Sequence, residues 1–341
     1  MEKKMRNKNY STNAIVEASL IAVIISIIMI ITGYLPIVSV IGTLILPIPV
    51  AILYIRHNYK ITITSIFLSI ILTSLFYNPI MAIYAAITCS IVGISLGYCV
   101  KRNKTSTLTL LYLAISSAIS NILTVAFFML FIEKTSFMNF LTNKLEFFKQ
   151  SMNGSLLELK TIYTHTQSGI SPKQLEILDK NFEIIKGIDA NFILVLIPAA
   201  IFIGALISAY LNYKVSSAVL NKLNYKMDEI LPFRKFYVNN IVGAVLIGTV
   251  CIGIIFSSKN IPGGDYILNS SQLLALLVFI INGLAASIYF LRVKRNLSKP
   301  IVALIIGLTM LTQLNSVYFS IGLMEMAFDF RKLDPYRIKR K

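Results

Sequence analysis

A chain of 341 residues with 56% hydrophobic content, a mean hydropathy of +0.74 and a net charge of +17 is too apolar for one or two soluble domains and reads as an all-α polytopic membrane protein. Its three cysteines (Cys89, Cys99, Cys251) lie within or at the ends of apolar segments without a CxxC pair, which argues against a disulfide framework or a thiolate metal site. Tryptophan is absent, so Tyr and Phe must serve as any interfacial belt.

A basic cytoplasmic tail, residues 1–13, carries Lys3, Lys4, Arg6 and Lys8 and leads into the apolar run Ala14–Ile31, whose single charge is Glu17. A run of this length crosses the hydrocarbon core as a helix, at about 20 residues and about 1.5 Å per residue. It is too long for a signal peptide, and a second apolar segment follows at once. Ala14, Ala18 and Ala22 form a stripe at a spacing of four that admits another helix closely. Packing within the chain and docking of a partner subunit both fit that stripe. Gly33-Tyr34 turns the chain, and Leu35–Ile55 returns, broken by Pro36, Pro47 and Pro49.

Further spans are expected over Ile61–Tyr77, Ile80–Val100 and Thr107–Ile132, completing a five-helix bundle over residues 14–132. Gly93 and Gly97 offer a second small-residue face, and Ser116, Ser117, Ser120 and Asn121 sit near mid-depth in the fifth span. Residues 133–189 break the pattern with 7 basic and 7 acidic residues and no long apolar run. Phe137, Phe140, Leu141, Leu145 and Phe148, and later Leu175, Leu178, Phe182 and Ile185, recur at helical steps, predicting two or three external amphipathic helices. A lid over an outward cavity and a solvated hairpin are both compatible with such an insert.

The region 190–330 supplies the remaining membrane helices: Ala190–Tyr213, Tyr237–Phe256 and Ile267–Leu291, with a basic amphipathic elbow at 215–235 in the cytoplasmic interface. Pro300–Phe330 is longer than one crossing needs, and the polar run Gln313, Leu314, Asn315, Ser316 at its middle predicts two short helices turning near Asn315, or one crossing and an interfacial piece. A basic tail, 331–341, closes the chain. In all, about 8–10 membrane helices are expected, even in number, with both termini cytoplasmic.

That orientation follows from charge. Loops assigned to the cytoplasm hold 24 Lys/Arg against 7 Asp/Glu, and the external ones 8 against 8. The surplus therefore gathers on one side, as the positive-inside rule requires. Its partners are the lipid bilayer and anionic headgroups rather than nucleic acid.

Chemical motifs are few. No GxxxxGK[ST] phosphate loop, HExxH pair or GxSxG elbow occurs, so neither an enzyme nor a cofactor is expected. His57 falls in a basic interface loop and reads as solvated. Glu17, near its helix start, reads as a cap or a partner contact. Glu325 and Asp329, four apart, suggest either a local interaction of Asp329 with Arg331 or Lys332, or a proton or cation site. Asn121, Asn282, Gln313 and Asn315 are the candidate substrate-binding residues; each is equally able to bridge helices.

Leu46-Pro47-Ile48-Pro49 with Arg56-His57, Leu231-Pro232, Gly322 and Asp329-Phe330-Arg331-Lys332-Leu333 together resemble the YybS-like family of bacterial membrane proteins. The resemblance implies a multi-pass inner-membrane protein. A more distant similarity, resting on Ala14, Ala18 and Ala22, is to the S components of energy-coupling factor transporters. It implies a six-helix bundle over Ala14–Tyr213 that binds a vitamin-like small molecule and docks an ATPase–coupling-subunit module. The contrasting expectation is a non-transporting scaffold or regulator that meets partners through 215–235 and its basic tail.

Overall fold

The computed structural model describes residues 12–166, 180, 183, 187–311 and 315–334, and every regular element among them is helical. The chain divides into two compact units: Met1–Ile132 with Ile201–Leu231, and Glu133–Ala200 with Pro232–Lys341. Among the described residues seven helices are long and apolar enough to cross a membrane, or eight when one bent pair counts as a single span.

In the first unit, α1 (Thr12–Tyr34) buries Ala14, Ala18, Ile21, Ala22, Ile25 and Met29 on one face. Ile15, Leu20, Val23, Ile24 and Ile27 are exposed on the other, the surface a lipid bilayer would cover. The returning segment is two helices, α2 (Pro36–Ile45) and α3 (Pro47–Arg56), each begun by a proline at the position where a missing N–H costs nothing. α4 (Tyr59–Ser74) is shorter than a full crossing at 16 residues, and the Asn58 side chain caps it by accepting from Ile61 N at 3.1 Å. α5 (Pro79–Lys101) and α6 (Ser106–Phe128) complete the set, with a π-turn at Met129–Glu133.

Polar contacts knit α1 to α4. Ser65 Oγ donates to Ala18 O at 2.8 Å, and Ser26 Oγ donates to Ser69 O at 3.1 Å. The alanine stripe is thus covered by the chain's own fourth helix and presents no outer face. Gly93 and Gly97 of α5 do the same work against α3: a Cβ on Gly93 would stand 2.8 Å from Pro47 O, and one on Gly97 3.0 Å from Ala51 O.

The next long helix, α8, runs unbroken from Ala190 to Lys222, past the expected end at Tyr213. The elbow expected as one interfacial helix is therefore a correction: its first two turns continue α8, and only a 3-10 turn, Phe233–Lys235, follows. Lys214 is an exposed residue on a helix whose Tyr213, Ser216 and Leu220 remain buried. Tyr213 OH donates to Asp228 O at 2.6 Å and ties the segment after the helix back to it.

In the second unit, α7 (Phe137–Thr166) is one helix of 30 residues, which carries the first of the helical patterns expected over 133–189, Phe137 to Phe148, and runs on well past it. The pattern Leu175 to Ile185 lies outside the described residues, apart from 180 and 183. α9 (Asn240–Ser258) and α10 (Gly264–Tyr289) form a hairpin, with Gly253 pressed on the backbone of Leu268. α11 (Lys299–Leu311) and α12 (Asn315–Phe328) are bent by 115° at the polar break, as the Gln313–Ser316 run predicts. α12 crosses α10 with almost nothing between them. A Cβ on Gly283 would overlap Tyr318 O, and one on Gly322 would overlap Phe279 O.

Candidate functional site

The first unit encloses a cavity of about 460 Å³ between α1, α2, α4, α5, α6 and α8. That size is typical of a small-molecule site. It lies at the ends of α1, α4 and α6 where those helices finish and at the start of α5, away from Glu17, Arg56 and Lys101. Its walls combine apolar side chains (Met29, Leu44, Leu46, Val92) with hydroxyls from nearly every surrounding helix, and they carry no charged residue.

Several of these hydroxyls are spent within their own helices. Thr32 Oγ1 donates to Ile28 O at 2.8 Å and Thr88 Oγ1 to Ala85 O at 2.7 Å, which leaves their lone pairs as acceptors. Others are not spent. Ser117 Oγ, Thr124 Oγ1 and Asn212 Oδ1 are buried and have no hydrogen-bond partner among the described residues. All three residues stand at the cavity wall. Asn212 Nδ2 donates back to Ser208 O at 2.9 Å, so the amide is held with its acceptor uncommitted.

Of the residues singled out by sequence, Asn121 lines this cavity and is exposed. Asn282 lies in the other unit and is fully buried; its oxygen accepts from Val238 N at 3.2 Å and Arg331 Nη2 at 3.2 Å, and its Nδ2 donates to Gly322 O at 2.8 Å. It bridges helices, one of the two roles open to it. Asn315 is exposed at the start of α12, and Gln313 lies outside the described residues. Asn212 escaped notice, although its spacing of four from Ser208 inside an apolar run marks a polar spot on one helical face.

Two ionic clusters stand apart from the cavity. Glu17, read as a cap or a partner contact, is engaged within the chain: Arg56 Nη1 donates to its Oε1 at 2.5 Å, and His57 Nε2 lies 2.9 Å from its Oε2. Arg56 Nε in turn donates to Tyr225 OH at 3.0 Å. Lys101 Nζ donates to Tyr54 O at 3.1 Å and also to His57 O. His57, expected to be solvated, is therefore part of a clamp. In the second unit Arg331 pairs with Glu325, Nε to Oε1 at 2.6 Å, with both side chains almost fully buried. Asp329 does not pair with Arg331; it accepts from Leu333 N at 2.8 Å and Asp334 N at 3.0 Å, closing a turn in which its own φ is +48°. Among the described residues, no group of three or more His, Cys, Asp or Glu side chains is placed to hold a metal ion.

The comparisons agree with this architecture. A family model described as "Predicted membrane protein (DUF2232)" matches residues 23–326. A protein of Bacillus subtilis (strain 168), named "Uncharacterized protein YybS", is 22% identical over 325 residues, covering 94% of this chain and 98% of that protein. No solved structure matches.

Proposed function

We propose, for a chain that belongs to the family of predicted membrane proteins DUF2232, that its first unit binds a small uncharged polar molecule in the 460 Å³ cavity and takes part in its uptake. The observation that carries the reading is the placing of Ser117 Oγ, Thr124 Oγ1 and Asn212 Oδ1, three buried and unpartnered polar atoms on two helices, at the wall of one cavity. Each such atom costs about 1–3 kcal/mol when left alone, and a ligand that pairs with them offsets that cost.

The wall also sets the ligand's chemistry. With no charged residue lining it, an ion would enter at a large desolvation cost without compensation. The Asn212 oxygen accepts only, so the ligand must offer at least one N–H or O–H donor there.

This reading is S-component-like in its binding role, within the bacterial cytoplasmic membrane. With both termini in the cytoplasm, the cavity occupies the outward-facing half of the unit. It differs in docking: the Ala14–Ala18–Ala22 stripe is engaged by α4, so an ATPase–coupling-subunit module would have to meet another face.

The test is to purify the chain in nanodiscs and extract bound small molecules for mass spectrometry. Neutral polar compounds are then screened for a rise in Tm. Binding that is saturable in the wild type and lost in a folded Asn212→Leu variant supports the reading. The absence of any extractable molecule together with no Tm response would overturn it.

A further inference from the structure

The second unit carries a different site, independent of the uptake reading. A cavity of about 490 Å³ lies between the end of α10, α11 and α12, with walls of Phe290, Leu291, Ile321 and Met324. Four polar residues interrupt this apolar surface, and two of them, Thr309 and Tyr318, are paired hydroxyl to hydroxyl. Ser287 Oγ and Glu325 Oε2 are buried, and neither has a hydrogen-bond partner among the described residues. Glu325 is 4% exposed, and its other oxygen is committed to Arg331 Nε at 2.6 Å and Arg331 N at 3.3 Å.

Glu325 also borders a small polar void, together with Asn282, Asp329 and Asp334. Arg331 meets the first of these three carboxylates, and Asp329 is held by backbone N–H groups. A buried carboxylate oxygen needs a donor, and a cationic one pairs with it more strongly than a neutral one. The rest of the wall is mostly apolar, with the Thr309 and Tyr318 hydroxyls spent on each other, and favours hydrocarbon.

We infer that this cavity is a binding site for an amphiphilic amine, with the alkyl chain against Phe290, Leu291, Ile321 and Met324 and the ammonium donating to Glu325 Oε2 beside the Ser287 hydroxyl. The surrounding membrane supplies the route, since such molecules partition into it before meeting the protein.

The chain has no tryptophan, so a single Phe290→Trp substitution places a unique fluorophore at the wall. Full-length protein in zwitterionic nanodiscs is titrated with dodecylamine, dodecanol and dodecyl sulfate, against empty nanodiscs. Dodecylamine is expected to bind saturably and about ten-fold or more tighter than the other two, as a charge-assisted bond predicts. Ser287→Ala keeps the ion pair and is expected to weaken the amine about three-fold. Glu325→Gln removes the preference for amine over alkanol. Should that variant fail to fold because Arg331 is stranded, the paired Glu325→Gln/Arg331→Gln variant decides the same question. Equal affinity for all three probes would overturn the assignment. So would a signal no larger than in empty nanodiscs, or an amine preference that survives loss of the carboxylate.

Discussion

Glu17 and Arg56 stand 39 residues apart in sequence and close the base of the first hairpin through a 2.5 Å contact, with His57 on the second carboxylate oxygen. The Arg56 side chain is 47% exposed, so solvent screens most of the attraction. Arg56→Ala is therefore expected to cost no more than about 1 kcal/mol, and a double-mutant cycle with Glu17→Gln should give a coupling of about 0.2–1 kcal/mol that shrinks in high salt. A salt-independent coupling of several kcal/mol would show that the pair is far less hydrated than its exposure implies.

The Glu325–Arg331 pair behaves in the opposite way, because both side chains are buried, at 3% and 0% exposure. Arg331→Met alone leaves a carboxylate in an apolar site and is expected to destabilise the second unit by about 3–5 kcal/mol. Combining it with Glu325→Leu should recover most of that loss. Thermal unfolding in detergent measures both, and failure of the double variant to recover would mean that Asn282 and the Arg234 carbonyl, not the carboxylate, hold Arg331.

Glycines offer a graded series. Alanine at Gly283 meets backbone on α12 that cannot move aside, and it should be the most damaging substitution. Alanine at Gly93 presses on Val50 Cβ at 2.7 Å and Pro47 O at 2.8 Å, and is expected to cost about 1–3 kcal/mol. At Gly204 a Cβ meets nothing within 4 Å, so alanine should be neutral or stabilising by up to about 1 kcal/mol through helix propensity. Any other order of melting temperatures would contradict the packing described.

Cavity substitutions separate binding from folding by their sign. Thr124→Val and Asn212→Leu remove buried polar atoms that have no partner, so each is expected to raise the stability of the ligand-free protein, by about 1 kcal/mol or more. The same changes should abolish the ligand-induced rise in Tm. Loss of stability without ligand would mean that those atoms are already satisfied by water.

Sidedness is testable by labelling. In a cysteine-free background, Lys104→Cys in the turn after α5 is expected to react from the cytoplasm, and Lys259→Cys in the turn after α9 from outside. The reverse pattern would invert the proposed orientation of the cavity.

Much of the fold was legible because hydropathy and proline act locally. The start of α3 at Pro47, the close approach at Gly93 and Gly97, and the break before Asn315 all follow from nearest-neighbour chemistry. What escaped depended on partners distant in sequence. Nothing near Glu17 announces Arg56, and nothing near Asn282 announces Arg331 and Gly322. The span was expected to end at Tyr213, yet the helix runs on because Val215, Ser216 and Leu220 keep its inner face packed. The candidate cavity was half visible. The serines of α6 were noticed, but Asn212 gains meaning only once α8 is placed beside them.

The crossing of α10 and α12 sets a mechanical rule for the second unit. Where Gly283 and Gly322 bring main chain against main chain, no side chain remains to serve as a bearing. Rotation or sliding of one rod past the other is blocked, and the two must travel as a single lever.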